Sequence, residues 1–216
     1  MEPEKFKIKD LFDGIVIPII LVLLIFVLAV YVNVTGEYHV LGEENVISII
    51  LTQGFAQMIV LGIPLVLGLL WNKWAGGAAG FVMGGMYYVA SAGEYNGLYS
   101  SMGVTQYNFF GDISMLFYLV NAVIIGYMAG SLNHGSTSFK RMLGAGLTAA
   151  IVTAVIQAFM NYNVSLEPAR AMAVGLWLDI PNALLINFVP SIALGIIVPI
   201  LAKVMTWYGI MPMKHY

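Results

Sequence analysis

Apolar residues run along this chain in long blocks broken by short polar stretches, and they do not alternate with the period of two that marks a half-buried strand. Six blocks predict six spanning helices, roughly Gly14–Val32, Val46–Leu70, Trp74–Ala92, Asp112–Ser131, Met142–Asn161 and Ala183–Tyr208. Each approaches or exceeds the ~20 helical residues that crossing a hydrocarbon core takes. The connections at 33–45, 93–111 and 162–182 are long enough to hold short helices or re-entrant turns. Within the last, ARAMAVGLWL (169–178) is apolar enough to lie on or in a membrane surface. No internal repeat divides the pattern, so residues 1–216 are expected to form a single six-helix transmembrane domain, an all-α integral membrane protein.

Composition agrees with this pattern. The chain is 60% hydrophobic and 9% charged, too little polar surface for a soluble domain of 216 residues. It has no cysteine, which excludes disulfides, thiolate catalysis and Cys-ligated zinc. The head MEPEKFKIKD leads into the first block with no small-residue cleavage site after it, so that block reads as a retained helix.

Charge then sets an orientation. With six spans, Lys5, Lys7, Lys9, Lys73, Lys140, Arg141, Lys203 and Lys214 fall on one side, and Arg170 falls on the other. The side rich in lysine and arginine is cytoplasmic, so both termini are expected there. Glu37, Glu43, Glu44, Glu94, Asp112, Glu167 and Asp179 fall on the outer side, with Tyr38, Tyr95, Tyr99, Tyr107, Phe109, Phe110, Tyr162 and Trp177. Two readings fit: a protein that works at its outer mouth, or ordinary charge segregation with interfacial aromatic belts.

The stretch WNKW (71–74) reads as a tight cytoplasmic turn with tryptophans at headgroup level. After it, Gly76, Gly80 and Gly84 share one helix face, which lets another backbone approach closely. Packing inside the monomer is the preferred use of that face, and a contact between copies is the alternative. The fifth predicted helix is also rich in small residues, including Gly144, Gly146, Ala150, Thr153 and Ala154. Gln157 and Asn161 near its outer end, and Asn121 deep in the fourth, are polar residues of the kind that face a bundle interior or a cavity. Interhelical hydrogen bonding and ligand contact both remain open for them. Pro64, Pro190 and Pro199 lie within or near the ends of spans, where proline removes a donor and bends the helix.

Catalysis finds no footing here. His39, His134 and His215 share no helix face, no HExxH or GxxxxGK[ST] motif is present, and no carboxylate lies in the middle of a span. The chain is expected not to be an enzyme and to need no cofactor.

The residues also resemble a known family. IPLVLGLLWNKWAGGAAGFVMGG (63–85) is similar to the second-to-third helix hairpin of the S components of energy-coupling factor (ECF) transporters. IIGYMAGSLNHGSTSFKRMLGAGLTAAIVTAVIQAFMN (124–161) resembles their fourth-to-fifth hairpin, and DIPNALLINFVPSIALGIIVPILAKVM (179–205) their last helix. The first span departs from the family's small-residue docking face, with only Gly14 and Ala29 as small residues. The resemblance implies a subunit in the cell (plasma) membrane that captures a vitamin-like small molecule from outside. It implies a transmembrane coupling subunit and two cytoplasmic ATPases as partners, with lipid around the bundle and no nucleic acid. It places the ligand among the outer loops and the outer ends of helices four to six. Together with the polar and aromatic pattern this singles out Glu94, Tyr95, Tyr118, Asn121, Gln157, Asn161, Tyr162 and Trp177. The outer acids suggest a neutral or cationic ligand, unless they only keep the loops solvated. The alternative function is a non-catalytic membrane subunit that scaffolds or anchors a larger complex. A polar cavity lined by Tyr118, Asn121 and Gln157 would favour binding, and tight packing without one would favour the scaffold.

Overall fold

A computed structural model describes residues 55–101, 108–166 and 180–209, with two isolated positions, 16 and 20, before them. The described residues are helical: α1 (Phe55–Leu70), α2 (Lys73–Ser101), a 3-10 turn (Phe109–Gly111), α3 (Ile113–Asn133), α4 (Phe139–Asn163) and α5 (Ile180–Trp207). Ile113–Asn133, Phe139–Asn161 and Phe188–Trp207 are long and apolar enough to cross a membrane, and Met58–Leu70 is a shorter apolar helix. This is the make-up of an all-helical membrane protein. Apart from those two positions the expected first span at 14–32 lies outside the described residues, as do residues 46–54 of the second.

The helices run antiparallel, and the short connections gather at one end. Trp71 and Asn72 alone join α1 to α2. Asn72 makes that turn by accepting the Ala75 backbone N–H at 2.8 Å, an N-cap that satisfies one free donor of α2. Between α3 and α4 the chain reverses through His134 and Gly135, both at positive φ (50° and 68°). The Asn133 side chain holds the turn, donating to Leu69 O at 2.8 Å and Ser136 O at 3.1 Å. Arg141 Nε donates to Leu132 O at 3.2 Å, and Lys203 Nζ to Thr137 O at 2.8 Å. Lys73 sits over the rings of Trp74 and Tyr127 at 5.6 and 5.8 Å. Four of the cations grouped by the sequence, Lys73, Lys140, Arg141 and Lys203, therefore lie at one end. Arg141 and Lys203 meet backbone carbonyls at the α3–α4 turn, where cations are favoured.

The glycine face of α2 packs inside the monomer. A Cβ on Gly80 would collide with the backbone of Ala122 and come within 2.6 Å of Val123 N, and one on Gly84 would lie 2.6 Å from Leu119 Cα. A Cβ on Gly76 would lie 2.5 Å from Gly126 O and 2.7 Å from Gly68 Cα. The receiving face of α3 has the same spacing of four: Ala122, Gly126 and Gly130. Gly126 also faces α1, where Pro64 O stands 2.9 Å from its would-be Cβ. The α4–α5 crossing repeats the device with Gly146 against Pro199 and Gly195 against Leu147. Lipid is as apolar as leucine, so helices in it gain from close van der Waals contact and hydrogen bonds, which small residues permit.

Expected boundaries move by up to three residues, and by nine at the end of the third span. The third span was expected to end at Ala92, but α2 continues to Ser101, about 44 Å at 1.5 Å per residue. Polar residues after Ala92 lower the hydropathy without ending the helix, because an apolar run reports the bilayer and not the hydrogen-bond ladder. Glu94 and Tyr95 thus belong to a helix and not to the outer loop. The fifth span was expected from Met142, but α4 begins at Phe139.

The packing predicts a contrast between glycines. Gly80→Ala forces two backbones apart and should cost about 1–3 kcal/mol or more. Gly144, which has nothing within 4 Å, should accept alanine without loss. Midpoints of thermal unfolding in detergent for the two variants check this: G80A falls by several degrees, and G144A matches or exceeds the parent.

Candidate ligand cavity

At the end opposite the cations, the chain enters α3 through an anchored turn. Asp112 is fully buried. Its Oδ1 accepts from Ser114 N at 2.9 Å and Ser114 Oγ at 2.7 Å, and its Oδ2 accepts from Leu166 N at 3.0 Å. One carboxylate thereby caps α3 and ties it to the chain leaving α4. Asp112 was expected among the acids of the outer side, where they line a mouth or keep loops solvated. It does neither, since a carboxylate that accepts three hydrogen bonds can be buried. Phe109 beside it is also fully buried, with its ring centroid 5.2 Å from that of Tyr88 and 5.7 Å from that of Phe110. Tyr118 carries the aromatic cluster inward, 5.4 Å edge-on from Tyr87.

Below this turn lies a cavity between four helices. Helix α3 contributes Tyr118 and Asn121, and α4 contributes Thr153 and Gln157. Helix α1 supplies Met58, Val60 and Leu61, and α5 supplies Pro190, Ser191 and Leu194. Its volume is about 40 Å³, room for roughly three waters at ~10–15 Å³ each.

A chain of amides crosses the wall. Asn121 Nδ2 donates to Gln157 Oε1, and Gln157 Nε2 donates to Asn161 Oδ1 at 2.8 Å. Spacing explains the alignment: Thr153, Gln157 and Asn161 recur every four residues on α4, and Tyr118 and Asn121 lie three apart on α3. Asn121 is 3% exposed, and its Oδ1 has no hydrogen-bond partner. Thr153 is buried, and its Oγ1 donates back to Ala149 O and Ala150 O, both at 3.0 Å.

Of the residues singled out from sequence, Tyr118, Asn121 and Gln157 meet at the cavity, and Asn161 joins through Gln157. Glu94 and Tyr95 lie on the last turns of α2, and Tyr162 near the end of α4; their side chains, like the whole of Trp177, fall outside the described residues. The sequence reading missed Thr153 and Ser191 as lining residues. Thr153 had been taken as one more small packing residue, although it sits one turn from Gln157. Among the described residues no group of three or more His, Asp or Glu could hold a metal ion.

No family model, curated protein or solved structure matches this chain.

Asn121 is buried and Gln157 half-buried, so removing one amide strands the other, whereas removing both leaves an apolar contact. Asn121→Leu and Gln157→Leu should each lower stability by about 1–3 kcal/mol. The double variant should be less destabilised than their sum by about 0.5–3 kcal/mol. A double-mutant cycle on thermal midpoints measures this coupling, and simple additivity would refute it. Asp112→Ala, which strands the buried N–H and hydroxyl donors of Ser114 and unties Leu166 N, should be at least as damaging as either single amide change.

Proposed function

We propose that this chain is the substrate-binding subunit of an uptake transporter of the ECF kind, seating a small molecule in the cavity between α1, α3, α4 and α5. The observation that carries the reading is the cavity itself, lined by Tyr118, Asn121 and Gln157, three of the residues singled out from sequence. The Asn121 amide is held in that wall at a free-energy cost, since its Oδ1 is buried without a partner, as Asn133 Oδ1 is at the α3–α4 turn. The mixture of apolar wall and a few convergent polar groups is the usual make-up of a small-molecule site. At about 40 Å³ the cavity has room for one end of a ligand. On this reading the protein sits in the cell membrane with that end outward. It performs no chemistry, and it depends on a coupling subunit and two cytoplasmic ATPases for energy.

Native mass spectrometry of the gently purified protein is the test, with extraction of whatever it retains. A stoichiometric small molecule, retained by the parent and lost from Asn121→Leu, is the expected result. A clean apo mass with other membrane proteins co-purifying would overturn the reading in favour of a scaffolding subunit.

A further inference from the structure

We infer that the α3–α4 turn and the end of α5 form a seat for an anionic phospholipid, with Lys140, Arg141 and Lys203 for its phosphate and the rings of Phe139 and Trp207 for its upper acyl region. The inference is independent of the binding-subunit reading and needs only that the bundle stands in a bilayer.

Convergence of charge carries the argument. Arg141 and Lys203 come from different helices and close on the same reversal. Arg141 Nε donates to Leu132 O at 3.2 Å, and Lys203 Nζ donates to Thr137 O at 2.8 Å. Lys140 precedes Arg141 on the exposed first turn of α4. These contacts hold two cations against neutral carbonyls and leave their charge uncompensated. Arg141 gives only its Nε–H to the turn, so its Nη fork is available to the paired oxygens of a phosphate. The Lys203 ammonium keeps further protons to donate. Among the described residues the only acids are Glu94, near the end of α2, and Asp112, at the start of α3. Both belong to the opposite end of the bundle.

Depth selects the partner. The three helices long and apolar enough to cross a membrane have their limits here, at Asn133, Phe139 and Trp207. The cations stand within about one turn of those limits, beside the hydrocarbon core, where lipid headgroups lie. Trp207 and Tyr208 are 74% and 76% exposed, and large amphipathic rings at a helix end suit the headgroup zone. Lys203 Nζ lies 5.8 Å from the centroid of Trp207, so charge and ring share one level. A soluble phosphate could meet the cations but would leave Phe139 and Trp207 uncovered, whereas the chains of a lipid cover them.

Lys73 supplies the contrast. It lies at the same end, but it is half-buried, with the rings of Trp74 and Tyr127 at 5.6 and 5.8 Å and Gly130 packed against its backbone. Its ammonium is committed to the α2–α3 crossing. A general excess of positive charge would use all four cations alike, and a seat uses three of them.

The experiment is native mass spectrometry of the full chain equilibrated with phosphatidylglycerol and phosphatidylcholine of identical acyl chains. The parent should retain one phosphatidylglycerol at least about tenfold over phosphatidylcholine, since each cation near an anionic headgroup is worth about fivefold. Lys140→Gln, which removes no contact within the described residues, should lower that preference several-fold. The triple variant K140Q/R141Q/K203Q should abolish it, and Lys73→Gln should change it by less than about twofold. Phosphatidylglycerol should also raise the thermal midpoint of the parent and not that of Lys140→Gln. Equal retention of the two lipids by the parent overturns the seat. So does Lys73→Gln acting as strongly as Lys140→Gln, which would leave only a diffuse charge effect. An equal rise in midpoint from inorganic phosphate in phosphatidylcholine overturns the lipid as partner. If the triple variant fails to fold, Lys140→Gln against Lys73→Gln decides alone.

Discussion

At Gly126 three helices meet with no side chain between them. The backbone of α3 touches that of α2 at Gly76 and that of α1 at Pro64 and Gly68. This contact fixes the spacing of three helices at once, and it tolerates no Cβ at any of the glycines involved. It also gives α3 two distinct faces. Ala122, Gly126 and Gly130 form the small face that receives α1 and α2. Asn121 turns toward α4, and Gln157 meets it there. A shift in the first contact would rotate the second, so the amide chain inherits its alignment from the glycine junction.

The two faces reflect two ways of stabilising a helix pair where water supplies no driving force. Close approach collects many weak dispersion contacts, each about 0.1–0.2 kcal/mol. A hydrogen bond between side chains supplies fewer, directional contacts, which in a bilayer average about 0.6 kcal/mol. The first serves rigidity and is placed at α2–α3 and α4–α5. The second joins α3 to α4, where the cavity also lies. Polar groups at that contact leave an acceptor without a partner, which a fully apolar contact would not. The outer faces of α4 and α5 show the complement: Val155, Phe159, Ile192, Ile196 and Ile200 are exposed, as lipid requires.

Part of this was legible in the sequence. Glycines spaced by four after WNKW announced a close helix contact, and the cation pattern grouped the two short turns and the end of α5 at one end, as the structure does. The partner of that glycine face was not legible, because Ala122, Gly126 and Gly130 are scattered among large apolar residues in NAVIIGYMAG. Nor was the length of α2, since hydropathy falls at Gly93 while the backbone ladder goes on to Ser101. Asn121 and Gln157 stood out because amides are rare at such depth, but nothing in one dimension paired them across 36 residues. Thr153 and Ser191 gave weaker signals. Small hydroxyls are common in membrane helices, since they can return their proton to their own backbone, and Thr153 does so. Asp112 misled for the opposite reason: an acid next to a predicted span looks solvated until its three donors are seen.

The position of the cavity relative to the junction bears on how a ligand could enter. Helix α1 supplies both: Gly68 locks against Gly126, and Met58–Leu61 form cavity wall about two turns away. Close-packed backbones at the glycine junction leave little room for α1, α2 and α3 to slide past one another. Helix α5 completes the wall with Pro190 and Ser191, and it is clamped to α4 further along, where Pro199 and Gly195 meet Gly146 and Leu147. Proline at 190 removes one rung of the ladder between that clamp and the start of α5. Both prolines cost α5 a rung, but the gap at Pro190 borders the cavity and the gap at Pro199 is pressed against α4. On the binding reading proposed above, the stretch of α5 at Pro190 is the part of the cavity wall where a backbone rung is missing, while the amide chain on α3 and α4 stays in register.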